Sequence, residues 1–105
     1  MEKEIWGIPE IKNLEEAGLG EDKQAIYDLG INFVEGKKFN EAIECFKKLK
    51  KICEERGEYE LAARTCEKIG DCYSQLGRED KRKEYYKFAG EFYKKWIKKI
   101  RTDEK

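Results

Sequence analysis

Apolar residues recur along most of this chain with the three- and four-residue spacing of helices that bury one face. Glycines separate the segments that carry this pattern: Gly36, Gly57 and Gly77. The spacing predicts four helices, over residues 22–35, 39–56, 58–76 and 79–101. Asn40 is a favoured cap residue, so we expect the second helix to begin at Phe39 or Asn40. A shorter helix is predicted near residues 9–17, where Pro9 suits the first turn and Gly18 suits the end.

The chain also contains an internal repeat with a period of 40 residues. Shifting the stretch Ile26–Phe46 forward by 40 residues pairs similar side chains along it and just beyond it. The pairs are Ile26 with Cys66, Leu29 with Ile69, Gly30 with Gly70, Phe33 with Tyr73, Glu44 with Glu84, Phe46 with Tyr86 and Lys47 with Lys87. In each copy, an apolar-x-x-aliphatic-Gly-x-x-aromatic run leads through a turn to a second helix that carries another aromatic residue. This is the order of features in a helix-turn-helix repeat.

These residues resemble the tetratricopeptide repeat, whose signature runs Trp-x-x-Leu-Gly-x-x-Tyr, then Ala-x-x-x-Phe, then Pro. Copy one supplies Ile26, Leu29, Gly30, Phe33, Ala42 and Phe46. Copy two supplies Cys66, Ile69, Gly70, Tyr73 and Tyr86, with Arg82 where the small alanine belongs. Both copies lack the final proline and the period exceeds the usual 34 residues, which is similar to the long repeats of soluble NSF attachment proteins and kinesin light chains.

The resemblance implies an all-α fold, a short α-solenoid of two antiparallel helix pairs with a short amino-terminal helix. In such a fold, Gly30 and Gly70 let the paired helix approach closely, and the aromatic residues fill the wedge between the two helices of a repeat. At 105 residues we expect one domain: an amino-terminal segment over residues 1–21, repeat one over 22–57, and repeat two with its long last helix over 58–101.

Members of this family bind a peptide in a groove lined by the first helix of each repeat, so the resemblance implies another protein or a peptide as partner. The implied groove positions are Gln24, Tyr27, Ile31, Val34 and Glu35 in copy one, and Arg64, Glu67, Asp71, Ser74 and Gln75 in copy two. Tyr27 and Ile31 stand where chaperone-binding members place a carboxylate clamp, so we expect no docking through that clamp. Two occupants stay open, a foreign peptide and the chain's own start with Ile5, Trp6, Ile8, Ile11 and Leu14.

The first and last helices each carry an apolar arc wider than one neighbour covers. The arc spans roughly 240° in the first helix and about half the circumference in the last, against about 100° for a one-sided surface helix. We expect a homodimer that buries part of the last helix, and a surface for another protein is the alternative. The predicted self-association residues are Tyr85, Phe88, Phe92 and Trp96.

Charge suggests a second function. Charged residues make up 44% of the chain but sum to zero, which gives the whole molecule little attraction for nucleic acid or acidic membranes. Residues 1–21 nevertheless carry a net charge of −4, and residues 78–105 carry +5. The alternative function is therefore nucleic-acid or anionic-surface binding by the basic aromatic end of the last helix, KKWIKKIRTDEK.

No apolar run reaches the roughly 20 residues that span a bilayer, and the first residues lack a signal-peptide core. We therefore expect a cytoplasmic protein without a membrane span. The abundance of Lys, Glu and Ile with few Gln, Asn and Thr resembles the composition of thermophile proteins.

Little in the sequence supports catalysis or metal binding. The chain has no histidine, and Ser74 is its only serine. The four cysteines lie too far apart in sequence for the paired spacing of a zinc site: Cys45, Cys53, Cys66 and Cys72. We expect no enzymatic activity, no cofactor and no metal, and reduced structural thiols, with a disulfide as the alternative.

Overall fold

The computed structural model describes residues 20–103 of the chain. Within this range it contains α-helices and no strands, and the helices are α1 (Lys23–Glu35), α2 (Phe39–Glu55), α3 (Tyr59–Gln75) and α4 (Glu79–Asp103). Each helix packs mainly against the next one along the chain. The all-α class and the pairing of consecutive helices are confirmed, and α4 extends two residues beyond the predicted end. The short helix predicted near residues 9–17 lies outside the described residues.

The same three-residue turn joins each pair of consecutive helices. One residue of each turn has a left-handed backbone: Lys37 with φ 61°, Gly57 with φ 69° and Gly77 with φ 74°. The next backbone N–H donates to a carbonyl five residues earlier: Lys38 to Phe33 at 2.8 Å, Glu58 to Cys53 at 2.9 Å, and Arg78 to Tyr73 at 2.8 Å. This is the Schellman pattern, which closes a helix by satisfying its last carbonyls. The turns recur every 20 residues, so the 40-residue period contains two equal helix-turn units.

In the first turn, the glycine is not the residue with the left-handed backbone. Gly36 has φ −85°, and Lys37 adopts the positive φ instead. The reason is the register of the closing hydrogen bond, which runs from Lys38 to Phe33 and places the left-handed residue immediately before Lys38.

The second helix begins at Phe39, as predicted, but Asn40 is not its cap residue. Asp22 caps α1, and its side chain accepts a hydrogen bond from the Ala25 N–H at 3.1 Å. The N-cap of α2 is Lys38, without a side-chain hydrogen bond, and Asn40 lies inside the first turn. The three-residue turn leaves no room for Asn40 at the cap position.

The helix pairs pack as the glycine and aromatic positions predict. A Cβ atom on Gly30 would lie 2.6 Å from Cε1 of Phe46, and one on Gly70 would lie 2.5 Å from Cε1 of Tyr86. Each glycine therefore makes space for the aromatic ring of its partner helix. Between α2 and α3, the fully buried core contains Leu49, Cys53, Ala62, Cys66 and Ile69.

Candidate binding surfaces

A cleft of about 330 Å³ lies between α1 and α3. Its lining is Ile31, Val34, Glu35, Lys37, Phe39, Lys68, Asp71, Cys72 and Gln75. We call it the α1–α3 groove. The sequence predicted five of these residues as groove positions: Ile31, Val34, Glu35, Asp71 and Gln75.

The α1–α3 groove combines an apolar floor with a charged rim. The side chains of Ile31, Val34 and Phe39 are half-buried and pack against the core. Both signs of charge stand around them, from Glu35 and Lys37 on one side and from Lys68 and Asp71 on the other. Such a surface can hold an apolar side chain while the rim pairs with polar groups beside it.

Sequence reasoning missed part of this lining. Lys37 and Phe39 belong to the turn and the start of α2, whereas the prediction considered only the first helix of each pair. Cys72 is buried beneath the groove and Lys68 borders it. Phe39 reaches the groove because of the register of the turn before α2, and the spacing of apolar residues along the sequence does not reveal that register.

The remaining predicted groove residues lie elsewhere. The Tyr27 ring packs against Phe46 with centroids 5.9 Å apart, and Gln24 donates a hydrogen bond to Asp28 at 2.9 Å. Arg64 and Ser74 are exposed on α3. Glu67 lines a different cleft, so the predicted surface divides between two sites.

That second site is a cleft of about 410 Å³ between α3 and α4, which we call the α3–α4 cleft. Its lining is Glu67, Asp71, Tyr86, Ala89, Gly90 and Tyr93. The Tyr86 hydroxyl donates to a carboxylate oxygen of Asp71, and the Tyr93 hydroxyl donates to Glu67 at 3.3 Å. The hydrogen bond to Asp71 raises the pKa of Tyr86, while partial burial and the Glu67 charge raise the pKa of Tyr93. Sequence reasoning assigned both tyrosines to the apolar arc of α4 and did not find this cleft.

The predicted self-association residues on α4 largely pack within their own chain. Phe92 is 6% exposed, and its ring stacks on Tyr59 with centroids 6.2 Å apart. The ring of Tyr85 packs against Tyr73 at 5.7 Å and edge-on against Phe88 at 5.3 Å.

Lysines of α2 cover the outer side of these rings. The Lys47 ammonium lies 5.8 Å from the centroid of Tyr85, and the Lys50 ammonium lies 5.7 Å from those of Phe88 and Phe92. Ammonium groups at this distance attract aromatic faces, and their aliphatic stems cover apolar surface. The broad apolar arc of α4 is thus shared between α3 and the lysines of α2.

Further along α4, apolar side chains remain in solvent. Trp96 is half-buried and packs edge-on against Tyr93 at 6.4 Å. Ile97 is 44% exposed and Ile100 is 37% exposed. Apart from Tyr86, the large exposed apolar side chains of α4 therefore lie near its carboxyl end.

Two of the basic residues at this end are engaged within the chain. Lys99 donates a hydrogen bond to the Gly57 carbonyl at 3.0 Å, and its ammonium lies 5.9 Å from the Tyr59 centroid. Lys95 lies over the same ring at 5.6 Å. The other basic residues near Trp96 are Lys94, Lys98 and Arg101, and their side chains are exposed.

The four cysteines are free and buried. Burial raises the pKa of Cys45 and Cys66 to about 12, and that of Cys53 and Cys72 to about 11. Among residues 20–103, no group of three or more Cys, Asp or Glu side chains is arranged to hold a metal ion. No helix in that same range is long and apolar enough to cross a membrane.

Fold and surfaces together define an all-α protein of paired helices with two clefts that meet at Asp71. Residues 8–105 match the family described as "Uncharacterized protein conserved in bacteria (DUF2225)", and the chain belongs to that family. No curated protein and no solved structure matches the chain. The resemblance to tetratricopeptide repeats stays an interpretation of the residue pattern.

Proposed function

We propose that this protein is a non-catalytic binding module that holds a segment of another protein in the α1–α3 groove. The supporting observation is the groove itself, where three half-buried apolar side chains from α1 and the start of α2 lie inside a rim of both charges. Its volume of about 330 Å³ is at the lower end of the range for small-molecule pockets. A groove of this size suits one apolar anchor of a peptide, with polar contacts at the rim. We propose that the protein acts in the cytoplasm.

The internal repeat supplies well-matched substitutions to test the groove. Copy two has Asp71 and Ser74 at the positions of Ile31 and Val34, so a helix of this fold accepts those residues there. Peptides selected from a random display library on the wild-type chain should carry an apolar anchor. Their affinity should fall at least tenfold for Ile31→Asp combined with Val34→Ser, as measured by calorimetry.

The matched control is Glu91→Gln on the exposed side of α4, which should leave peptide affinity unchanged. Circular dichroism would verify that the groove variant stays helical. Selected peptides that bind the groove variant as tightly as the wild type would refute binding in the groove.

The chain's own amino-terminal segment is the competing occupant. If it fills the groove, Trp6→Ser with Ile8→Ser in the full chain should increase the affinity for the selected peptides. Unchanged affinity would leave the groove to foreign segments.

We also propose that the chain forms a homodimer through the carboxyl end of α4. The support is the exposure of Ile97 and Ile100 beside Trp96, since monomeric proteins rarely expose a contiguous apolar patch to water. Ile97→Lys with Ile100→Lys should convert the dimer into a monomer in sedimentation velocity. A wild-type monomer at high micromolar concentration would exclude this dimer.

A second candidate function is binding to nucleic acid or an anionic surface through Lys94, Lys98 and Arg101. The support is that these three side chains are exposed. The ammonium groups of Lys95 and Lys99, by contrast, lie over the Tyr59 ring, and Lys99 also donates a hydrogen bond to the Gly57 carbonyl. Three phosphate contacts to a DNA duplex would give a slope of about −3 for log affinity against log salt. Lys94→Gln with Lys98→Gln should reduce that slope by about two, and an affinity for DNA independent of salt would exclude this function.

A further inference from the structure

The α3–α4 cleft differs from the α1–α3 groove in both position and chemistry. Asp71 lines both sites, but no other residue of the α3–α4 cleft lines the α1–α3 groove. Two tyrosine rings and two carboxylates surround a floor made by Ala89 and Gly90. The cleft therefore offers negative charge beside aromatic faces, where the groove offers an apolar floor.

The internal repeat shows how the equivalent surface is covered in the first copy. Shifted back by 40 residues, the lining of the cleft corresponds to Tyr27, Ile31, Phe46, Leu49, Lys50 and Cys53. Phe46 and Cys53 are fully buried, and their helix α2 packs against both α1 and α3. Tyr86 is 36% exposed, and among the described helices α4 packs mainly against α3 alone. Copy two thus leaves open a face that a following helix covers in copy one.

The residues that replace the apolar side chains of copy one favour a basic partner. Glu67 and Asp71 stand at the positions of Tyr27 and Ile31. Each accepts a tyrosine hydroxyl, and among residues 20–103 neither forms an ion pair with a basic side chain. Every carboxylate has two acceptor oxygens, so each retains capacity for a further donor.

Two arginines lie at the edges of the cleft, near its tyrosines. Arg82 donates to Glu79 at 2.6 Å, and its guanidinium lies 5.4 Å from the Tyr86 centroid. Arg64 is exposed on α3, and its charge lowers the pKa of Tyr93, whereas the charge of Glu60 raises it. Within the described part of the chain, neither arginine forms an ion pair with Glu67 or Asp71.

Gly90 opens the floor of the cleft. It lies in the middle of α4, where glycine is the least favourable residue after proline. A Cβ atom at this position would meet no atom within 4 Å, so packing of the helices does not require glycine here. Any larger side chain would instead occupy the space between Tyr86 and Tyr93.

We propose that the α3–α4 cleft binds the guanidinium or ammonium group of an arginine or lysine side chain presented by a partner helix. The partner helix occupies the position relative to α3 and α4 that α3 occupies relative to α1 and α2. The cation of its arginine or lysine side chain pairs with Glu67 and Asp71, and the aliphatic part of that side chain lies between the rings of Tyr86 and Tyr93. Charge-assisted hydrogen bonds and cation–π attraction both favour this occupant. Only Asp71 is shared with the α1–α3 groove, so cation binding in the cleft can be tested separately from peptide binding in the groove.

The probe is an alanine-based helical peptide with arginine at two positions four residues apart, and its match carries citrulline, which keeps the shape without the charge. Titrated into the ¹⁵N-labelled full chain, the arginine peptide should shift the amide resonances of Gly90 and its neighbours on α4. The citrulline peptide should bind at least tenfold more weakly. Glu67→Gln should weaken the arginine peptide by at least tenfold, because it keeps an acceptor for Tyr93 but removes a charge.

Gly90→Leu fills the floor with a good helix former and should abolish the shifts while circular dichroism stays helical. Glu91→Gln, on the exposed side of α4, should leave them unchanged. Equal binding of arginine and citrulline peptides, or shifts that persist in Gly90→Leu, would overturn the proposal. Weak binding of the library-selected peptides, with the shifts caused by the arginine peptide intact, would count against the groove and support this cleft.

Discussion

Gly30 and Gly70 hold equivalent positions in the two repeats, but the rings that face them differ in freedom. Phe46 is fully buried against Gly30, whereas Tyr86 is 36% exposed beside Gly70. A methyl group at either glycine would overlap its ring, yet only Tyr86 can move toward solvent. The same sequence feature therefore has unequal importance for stability.

Gly30→Ala should lower the free energy of unfolding by about 1–3 kcal/mol, because the buried Phe46 ring must be displaced. Gly70→Ala should change it by less than about 1 kcal/mol, since the better helix propensity of alanine offsets the shift of Tyr86. Chemical denaturation of both variants would measure the difference. Equal losses would show that Tyr86 is held as rigidly as Phe46.

The left-handed turn residues give a second test at single positions. Lys37→Gly should raise the free energy of unfolding by about 0.5–1 kcal/mol, because a side chain is strained at φ 61°. Gly77→Ala should lower it by about 1 kcal/mol, although a Cβ there meets no atom within 4 Å.

Gly36→Ala is the control for these turn variants. With φ −85°, Gly36 makes no use of its conformational freedom, so alanine should be neutral or slightly stabilising in the same denaturation experiment. A clear loss of stability in Gly36→Ala, with none in Gly77→Ala, would contradict the turn register described above.

At the scale of the helix, α4 shows how a wide apolar arc is accommodated by a small protein. One flank packs on α3, as with Phe92 on Tyr59. Another flank lies under Lys47 and Lys50 of α2, with ammonium groups 5.7–5.8 Å from the ring centroids. Amphipathic lysines thus complete the cover that a third helix supplies in a longer array.

Lys50→Ala should lower the free energy of unfolding by about 1–2 kcal/mol, since it uncovers Phe88 and Phe92 and removes the partner of Glu54 at 3.1 Å. Lys51→Ala, exposed on the same helix, should change it by less than about 0.5 kcal/mol. Lys50→Met keeps an apolar stem without the charge and should recover part of the loss. A fully stable Lys50→Ala would show that the rings need no lysine cover.

For the whole molecule, the buried thiols predict a loss of stability in alkali. Burial holds the pKa of Cys45 and Cys66 near 12, against about 9 for an ordinary thiol. Above pH 9 the unfolded chain loses these protons while the folded chain keeps them, so the unfolded state binds fewer protons. The stabilisation is complete below pH 9 and decreases as the pH rises toward 12, by up to about 1.4 kcal/mol per pH unit for each thiol.

Denaturation midpoints between pH 8 and pH 11 would measure this slope, and Cys66→Ala should show a shallower slope than the wild type. The native thiols should also react with a thiol reagent at pH 8 only as fast as the protein opens, and all four should react at once in denaturant. Rapid reaction of the native chain would show that the cysteines are accessible.

The sequence alone was sufficient for much of this architecture. The repeated Leu-Gly-x-x-aromatic spacing predicted that the paired helix lies close to Gly30 and Gly70, and the structure shows that the rings of Phe46 and Tyr86 fill that space. Apolar periodicity predicted the helices to within about two residues, since it records which face each helix buries. The resemblance to tetratricopeptide repeats, and not the periodicity, implied five of the residues that line the α1–α3 groove.

Tertiary structure decided which neighbour covers each buried or exposed face. Periodicity is local and assigned Tyr86 and Tyr93 to an apolar arc, but only packing brings their hydroxyls to Asp71 and Glu67 around Gly90. The lysine cover of α4 and the position of Phe39 in the groove likewise depend on residues far apart in sequence and on the register of a turn. The apolar pattern determined what is buried, whereas through-space contacts between helices determined what remains open to a partner.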